Sequence, residues 1–265
     1  MERFETYLRS REFSQHSIDS YLFAVAQLLS RIDCLDDAGL LVHKDWLIRE
    51  HSAKTANTRI TSINCYLDFI GYEGLRLKSV KIQQKPFLDD VISNEEYEAL
   101  KGGLKRDGDL FWLFVVRFLA CTGARVSELR QFTVAHVKAG HMDLISKGQK
   151  LRRVYIPSSL QVDALAWCDN RLDNELIFAT TGNEAMTTRG LSLGLKRAAN
   201  RYGVNPNVVY PHSFRHLFAK NFIARNPDIA FLADLMGHES IETTRIYLRR
   251  TASEQRAAVD EAIDW

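Results

Sequence analysis

The sequence predicts a mainly α-helical protein with a small antiparallel β-sheet, organised as two domains. Three observations point there. Apolar residues recur at helical spacing along most of the 265 residues. Strand character is concentrated in two short segments, 141–146 and 151–156, which flank the polar turn Lys147-Gly148-Gln149-Lys150 in the manner of a hairpin. Residues 77–90 lack helical periodicity, hold Lys78, Lys81, Lys85 and Pro86, and separate two periodic regions. The expected domains are residues 1–84 and 93–265, joined by a linker at 85–92.

Four helices are expected in the first domain. Phe4, Tyr7 and Leu8 share one face of the first. Ser14 can cap the second, which carries Ile18, Tyr21, Leu22, Val25, Leu28 and Leu29 as an apolar stripe. A short third helix holds Val42, Trp46 and Leu47. A fourth runs from about Thr55 to Gly71, with Ile60, Ile63, Tyr66, Leu67 and Ile70 inward. Its other face shows Lys54, Thr55, Asn57, Thr58, Arg59 and Ser62. That is the composition of a solvated helix face, and equally of a helix laid on a nucleic-acid backbone.

Ser93 and Glu96 form a capping box that opens the second domain. The apolar run 110–121 carries Arg117 and is too short to span a bilayer, so it is expected as a buried helix. Thr122-Gly123 breaks it, and a helix restarts over 124–130. After the hairpin come a helix from Pro157-Ser158 and an edge strand at 176–179. Helices are then expected at about 188–202, 212–225, 228–236, 241–248 and 252–263.

The net charge of +2 neither demands nor excludes a nucleic-acid partner, because binding needs a local basic surface rather than a large net charge. Cys34, Cys65, Cys121 and Cys168 are scattered, without metal-ligand spacing, which fits reduced thiols in a cytoplasmic protein. Met1-Glu2-Arg3-Phe4 leads straight into a charged amphipathic segment, so no signal peptide is expected.

Chemistry gathers late in the chain. His212 and Arg215 are three apart on one helix and share a face, with His216 beside them. Gly237-His238 follows a helix, and Tyr247 lies on the next. Far upstream, Arg125 follows the Gly123 break, with Glu128 one turn on to hold its guanidinium. Arginine presents a planar fork of donors to phosphate oxygens, and a phenol can attack the phosphorus. Each residue alone fits a surface or core role; together they suit a phosphodiester.

Four segments, Thr122-Gly-Ala-Arg-Val-Ser-Glu-Leu129, Pro211-His-Ser-Phe-Arg-His216, Leu235-Met-Gly-His238 and Thr243-Thr-Arg-Ile-Tyr247, together resemble the tyrosine recombinase (phage integrase) family, nearest its small Xer-type members. The resemblance is strong over 93–265 and weaker over 1–84. It implies a two-domain C-shaped clamp, with an N-terminal four-helix SAM-like domain that binds core DNA and an α+β catalytic domain. Carried over residue by residue, it implies six catalytic positions: Arg125, Lys147, His212, Arg215, His238 and the nucleophile Tyr247, with Lys150 the second candidate for the lysine.

The chemistry then follows. Two arginines stabilise the charge added to the phosphate in the transition state. A tyrosine, with an ordinary pKa of about 10, needs a base, and His212 is the candidate. Lys147 suits the acid that protonates the leaving 5′-oxygen, and His238 can bond a phosphate oxygen. The product is a 3′-phosphotyrosyl link that a second 5′-hydroxyl reseals. No metal, ATP or other cofactor is expected.

The implied function is site-specific recombination of double-stranded DNA by a homo-oligomer, a tetramer on DNA, serving integration or excision, inversion or dimer resolution. The alternatives are a type IB-like topoisomerase or a DNA-binding regulator on a recombinase scaffold. Lys54, Thr55, Asn57, Arg59, Lys150, Arg152, Arg153, Lys196, Arg197, Arg201 and Arg245 are the expected DNA contacts. Residues 251–265, apolar on one face through Ala258, Val259, Ala262, Ile263 and Trp265, are the expected tail that docks on a neighbouring protomer. With helices from residue 1 onward, no additional arm-binding domain is expected.

Overall fold

Short polar side chains set where the first helices begin. Ser14 accepts the Ser17 N–H at 3.3 Å, Asp36 accepts that of Gly39 at 2.8 Å, and Ser52 accepts that of Thr55 at 3.2 Å. Each satisfies one of the donors that a helix start leaves without an intrahelical partner. A computed structural model of the chain describes residues 1–72, 74–82, 91–145, 151–180, 182–238, 240–245 and 252–263. It divides into two compact units, Met1–Lys85 and Pro86–Trp265.

The first unit contains α1 (Glu2–Ser10), α2 (Gln15–Leu29), α3 (Asp37–Glu50) and α4 (Ala53–Phe69). Phe4, Leu8, Ile18 and Val25 form one small core. Leu28, Leu40, Leu47, Ile60, Ile63 and Leu67 form another. One detail of α3 differs from the sequence expectation. The inward stripe of α3 is Leu40, His43 and Leu47, and Val42 is exposed, because the helix begins earlier and its face is set from Leu40. The aperiodic stretch 77–90 is tied down at its start. Asn57 donates to the Val80 carbonyl at 2.9 Å and accepts its N–H at 2.7 Å. Asn64, seven residues on and so on the same face of α4, makes the same pair of bonds with Leu77, both at 3.0 Å. The two amides substitute for a strand edge, and Leu77 is buried beneath them.

The second unit is built around α6 (Leu110–Thr122), in which Leu113 to Leu119 is buried except for Arg117. Arg117 pairs with Asp163 at 2.7 Å, so the charge inside the apolar run is compensated. Around α6 lie α5 (Asn94–Arg106), α9 (Ser158–Trp167), α10 (Thr188–Arg201) and α11 (Pro211–Arg225). The capping box of α5 is present, with Glu96 accepting the Ser93 N–H at 2.9 Å and Ser93 accepting that of Glu96 at 3.1 Å. Helix α10 packs closely enough on α6 that a Cβ at Gly194 would stand 1.9 Å from the Trp112 ring.

Strands β1 (His141–Ile145) and β2 (Leu151–Tyr155) pair antiparallel, His141 opposite Tyr155 and Ile145 opposite Leu151. The fold is thus mainly α with a two-stranded antiparallel sheet. Two short helices complete the approach to the site, α7 (Val126–Leu129) and α8 (Val134–Ala139). The sequence expectation lacks α8, whose six residues are too few to show a period. No strand forms at 176–179. Leu176 and Ala179 make only isolated bridges, to Thr133 and Ala185, because the chain crosses there as a turn. The chain ends with α12 (Ile229–Met236), α13 (Ile241–Arg245) and α14 (Ala252–Ala262), and Val259 and Ile263 are exposed. No helix among the described residues is long and apolar enough to cross a membrane.

Candidate active site

The end of α12 organises the site. The last carbonyls of a helix have no intrahelical partner and carry the negative end of its dipole. Here each finds a donor. The His238 N–H reaches Ala233 O and the Gly237 N–H reaches Asp234 O, both at 3.0 Å. These are the two bonds of a Schellman motif, and they require Gly237 to turn left-handed, at φ 60°. The next three carbonyls receive three arginines from three different elements. Arg152 Nε donates to Leu235 O at 2.9 Å, Arg215 Nη2 to Met236 O at 2.5 Å, and Arg125 Nη2 to Gly237 O at 3.2 Å.

Local sequence explains how each arginine arrives. Helix α6 stops at Gly123, which is left-handed (φ 62°). Thr122 Oγ1 accepts the Ala124 N–H at 3.2 Å and so closes the turn. Arg125 therefore lies at the start of α7, where Glu128 accepts its backbone N–H at 2.7 Å and its Nη1 at 2.8 Å. Arg152 comes from β2, whose alternation turns Arg152 and Val154 inward. Its Nη1 donates to the same Glu128 Oε1 at 2.5 Å. Arg215 comes from α11 and is buried, with Nη1 donating to the Gly123 carbonyl at the end of α6.

One carboxylate thus serves two guanidiniums, with a third nearby. Burial opposes ionisation of Glu128, but Arg152 and the bonds from Arg125 outweigh it and hold its pKa below the usual carboxylate range. The hydrogen-bonded set carries more positive than negative charge, as a phosphate site requires.

His238 stands at the edge of this set. Its Nε2 accepts from Arg215 Nη2 at 3.1 Å, which leaves Nδ1 to donate to Thr244 Oγ1 at 2.8 Å. Burial, then Arg215, Arg125, Arg152 and His212, lower its pKa to about 4, so the ring is neutral at pH 7. His212 is exposed on α11, its ring 4.8 Å from that of buried His216. Burial and the neighbouring His212, Arg215 and Lys220 lower the pKa of His216 to about 4 as well.

Of the six positions expected to carry catalysis, Arg125, Arg215 and His238 converge directly on the end of α12, and His212 lies one helical turn from Arg215. Lys147, Lys150 and Tyr247 lie outside the described residues. The sequence reading missed two partners, Thr244 and the carbonyls 235–237, and gave Arg152 another place. Arg152 was expected on a DNA-facing track, but its side chain is 5% exposed and bonded inward. The signal for this was present, since Val154 and Ile156 fix the inward phase of the strand and Arg152 shares it.

Of the other expected DNA contacts among the described residues, Asn57 and Arg59 are engaged within the first unit and the rest are exposed. Asn57 spends its amide on Val80. The Arg59 guanidinium lies over the Phe23 ring at 5.0 Å, and burial lowers its pKa. Ser62, on the face read as polar, is buried and donates to Thr58 O at 3.1 Å. Lys54, Thr55, Lys196 and Arg197 are exposed. Arg153, Arg201 and Arg245 are exposed and pair with Asp143 at 2.6 Å, Asp109 at 3.0 Å and Glu242 at 3.1 Å.

Comparisons with known proteins show the family and the fold. The model of the phage integrase family matches residues 91–254. The chain belongs to the phage integrase family. The tyrosine recombinase XerA of Thermococcus kodakarensis is 29% identical over 281 residues, covering 99% of this chain and 94% of that protein. Among solved structures, a lambda integrase dimer bound to a COC′ core site aligns with a TM-score of 0.73 at 17% identity, covering 93% of each chain. A lambda integrase tetramer bound to a Holliday junction aligns at 0.74, also at 17% identity, covering 100% of this chain and 77% of that one. These neighbours share the fold.

Proposed function

We propose that this member of the family is a site-specific DNA recombinase that cuts and rejoins strands by transesterification through Tyr247. One observation carries the proposal: three guanidiniums gathered on consecutive carbonyls at one helix end, with His238 beside them. Such a set is poorly supplied with anions, and a phosphodiester is the anion that the family handles.

Arg125, the most exposed of the three, and Arg215 hold the non-bridging oxygens. In the structure His238 Nε2 accepts from Arg215, in a place that a phosphate oxygen would take. The arriving negative charge offsets the neighbouring cations, raises the His238 pKa and converts Nε2 from acceptor to donor. Tyr247 Oη bonds to phosphorus as its proton passes to His212. The bond from phosphorus to O5′ breaks as Lys147, or Lys150 in its stead, gives O5′ a proton. The products are a 3′-phosphotyrosyl link and a free 5′-hydroxyl. The link keeps the energy of the diester, so the 5′-hydroxyl of another strand reverses the step and exchanges partners without ATP.

Exposed Lys196 and Arg197 on α10, and Lys54 and Thr55 at the start of α4, extend the DNA contact along the backbone. The lambda integrase neighbours hold DNA as a dimer and a tetramer, and a tetramer on double-stranded DNA is the assembly proposed here. Val259 on α14 and Ile263 just after it are exposed apolar residues that a neighbouring protomer would cover.

The test uses sheared, randomly nicked genomic DNA of the source organism. Wild-type protein should trap DNA covalently at a small set of sequences, and Tyr247→Phe should trap none. Two duplexes carrying a trapped sequence should exchange strands. Relaxation of supercoils without exchange would instead indicate a topoisomerase, and sequence-selective binding without an adduct would indicate a regulator.

A further inference from the structure

Arg152 joins three parts of the arginine cluster, Glu128, Leu235 and Gly237. Its Nη1 shares Glu128 Oε1 with Arg125 Nη1, and its Nε holds Leu235 O. Its aliphatic stem lies against Gly237, where a Cβ would stand 2.3 Å from Arg152 Cδ. Gly237 in turn accepts from Arg125 and precedes His238. One side chain therefore fixes both supports of Arg125, the carboxylate and the carbonyl, and the peptide from which His238 projects.

Stability alone does not account for a guanidinium here. The group is buried, and its Nη2 is enclosed with no hydrogen-bond partner among the described residues. A buried cation with an unmade bond is costly, and well-packed apolar residues often replace buried ion pairs without loss. An apolar side chain, however, cannot donate to Glu128 and Leu235 at once. Lysine, a point charge, can satisfy one of them at a time.

We infer that Arg152 is the positioning residue of the phosphate clamp, holding Glu128 and the end of α12 in the one arrangement that aims Arg125 and His238 at the phosphate. This rests on the phosphate role proposed above for Arg125 and Arg215.

Arg152→Lys and Arg152→Met, both checked by thermal melting, would be assayed on a duplex captured by the wild type, in three forms. One is the natural diester. One has a non-bridging oxygen replaced by methyl, which removes the charge that the clamp neutralises. One has sulfur for the bridging 5′-oxygen, which leaves without needing a proton. A misplaced clamp should slow cleavage of the diester by about 100-fold. The loss should shrink to a few-fold on the methylphosphonate and persist on the 5′-thio substrate. An equal loss on all three would mean general structural damage and would overturn the assignment. Rescue by the 5′-thio substrate would place Arg152 with the leaving group instead, and undiminished cleavage would remove it from the mechanism. If Arg152→Met does not fold, the same comparison decides on Arg152→Lys alone. A wild type that traps no DNA would remove the transesterification itself, an outcome separate from any defect confined to Arg152 variants.

Discussion

Gly237 has two independent reasons to lack a side chain. Its backbone is left-handed, which costs other residues about 1–2 kcal/mol, and the space a Cβ would need is filled by Arg152. Gly237→Ala should therefore lower stability by about 2 kcal/mol in urea denaturation and lower DNA cleavage beyond what that loss explains, because Arg152 must shift. Equal stability with full cleavage would contradict the packing described. Thr244 acts on a finer scale. By accepting from Nδ1 it fixes the His238 tautomer and points Nε2 at Arg215. Thr244→Val should leave the fold intact and slow cleavage about tenfold, read in single-turnover assays, whereas an unchanged rate would show that the tautomer is set elsewhere.

Helix ends and strand phases decide how the site is built. The carbonyls 233–237 are shared out between two backbone donors and three arginines, so α12 is both a structural element and the frame of the clamp. Much of this was legible in order. Gly123 and Gly237 mark helix ends by their type, the Ser93–Glu96 box marks a start, and the histidine–arginine spacing places His212 and Arg215 on one face. The inward place of Arg152 follows from strand alternation, whose phase Val154 and Ile156 set, and not from its charge. Asn57 presents a related case. A polar residue on a helix face looks solvated until the backbone it serves, 23 residues away in sequence, is seen. Asn57→Ala should cost about 1–2 kcal/mol in the unfolding of the first unit, through two lost bonds to Val80, and a cost near zero would show that water replaces them fully.

At the scale of the whole molecule, both units contain histidines kept neutral by burial. In the first, burial with Arg31 and Arg59 lowers the His43 pKa to about 4, and His216 and His238 behave alike in the second. Each has a folded pKa below its unfolded value near 6.5, so the unfolded chain binds more protons in that interval. The stability they contribute is complete above pH 6.5 and is lost as pH falls towards 4. Calorimetry should show the melting temperature falling over that window. A flat profile between pH 7 and 4.5 would show that these rings are not held neutral. No sequence pattern announced this, because burial of a histidine depends on what packs around it. The division of chemistry along the chain was legible for Arg125 and Arg215, drawn from elements far apart in sequence, but not for Arg152. What required the structure was the single helix end on which they meet. The central claim, that this helix end serves a phosphodiester attacked by Tyr247, has one direct measurement. Trapped protein–DNA adduct is digested with protease and nuclease, and the modified peptide is sequenced by mass spectrometry. The account expects a nucleotide joined through its 3′-phosphate to Tyr247, with a free 5′-hydroxyl on the released strand. A 5′-phosphate linkage, another modified residue, or no adduct at all would contradict it.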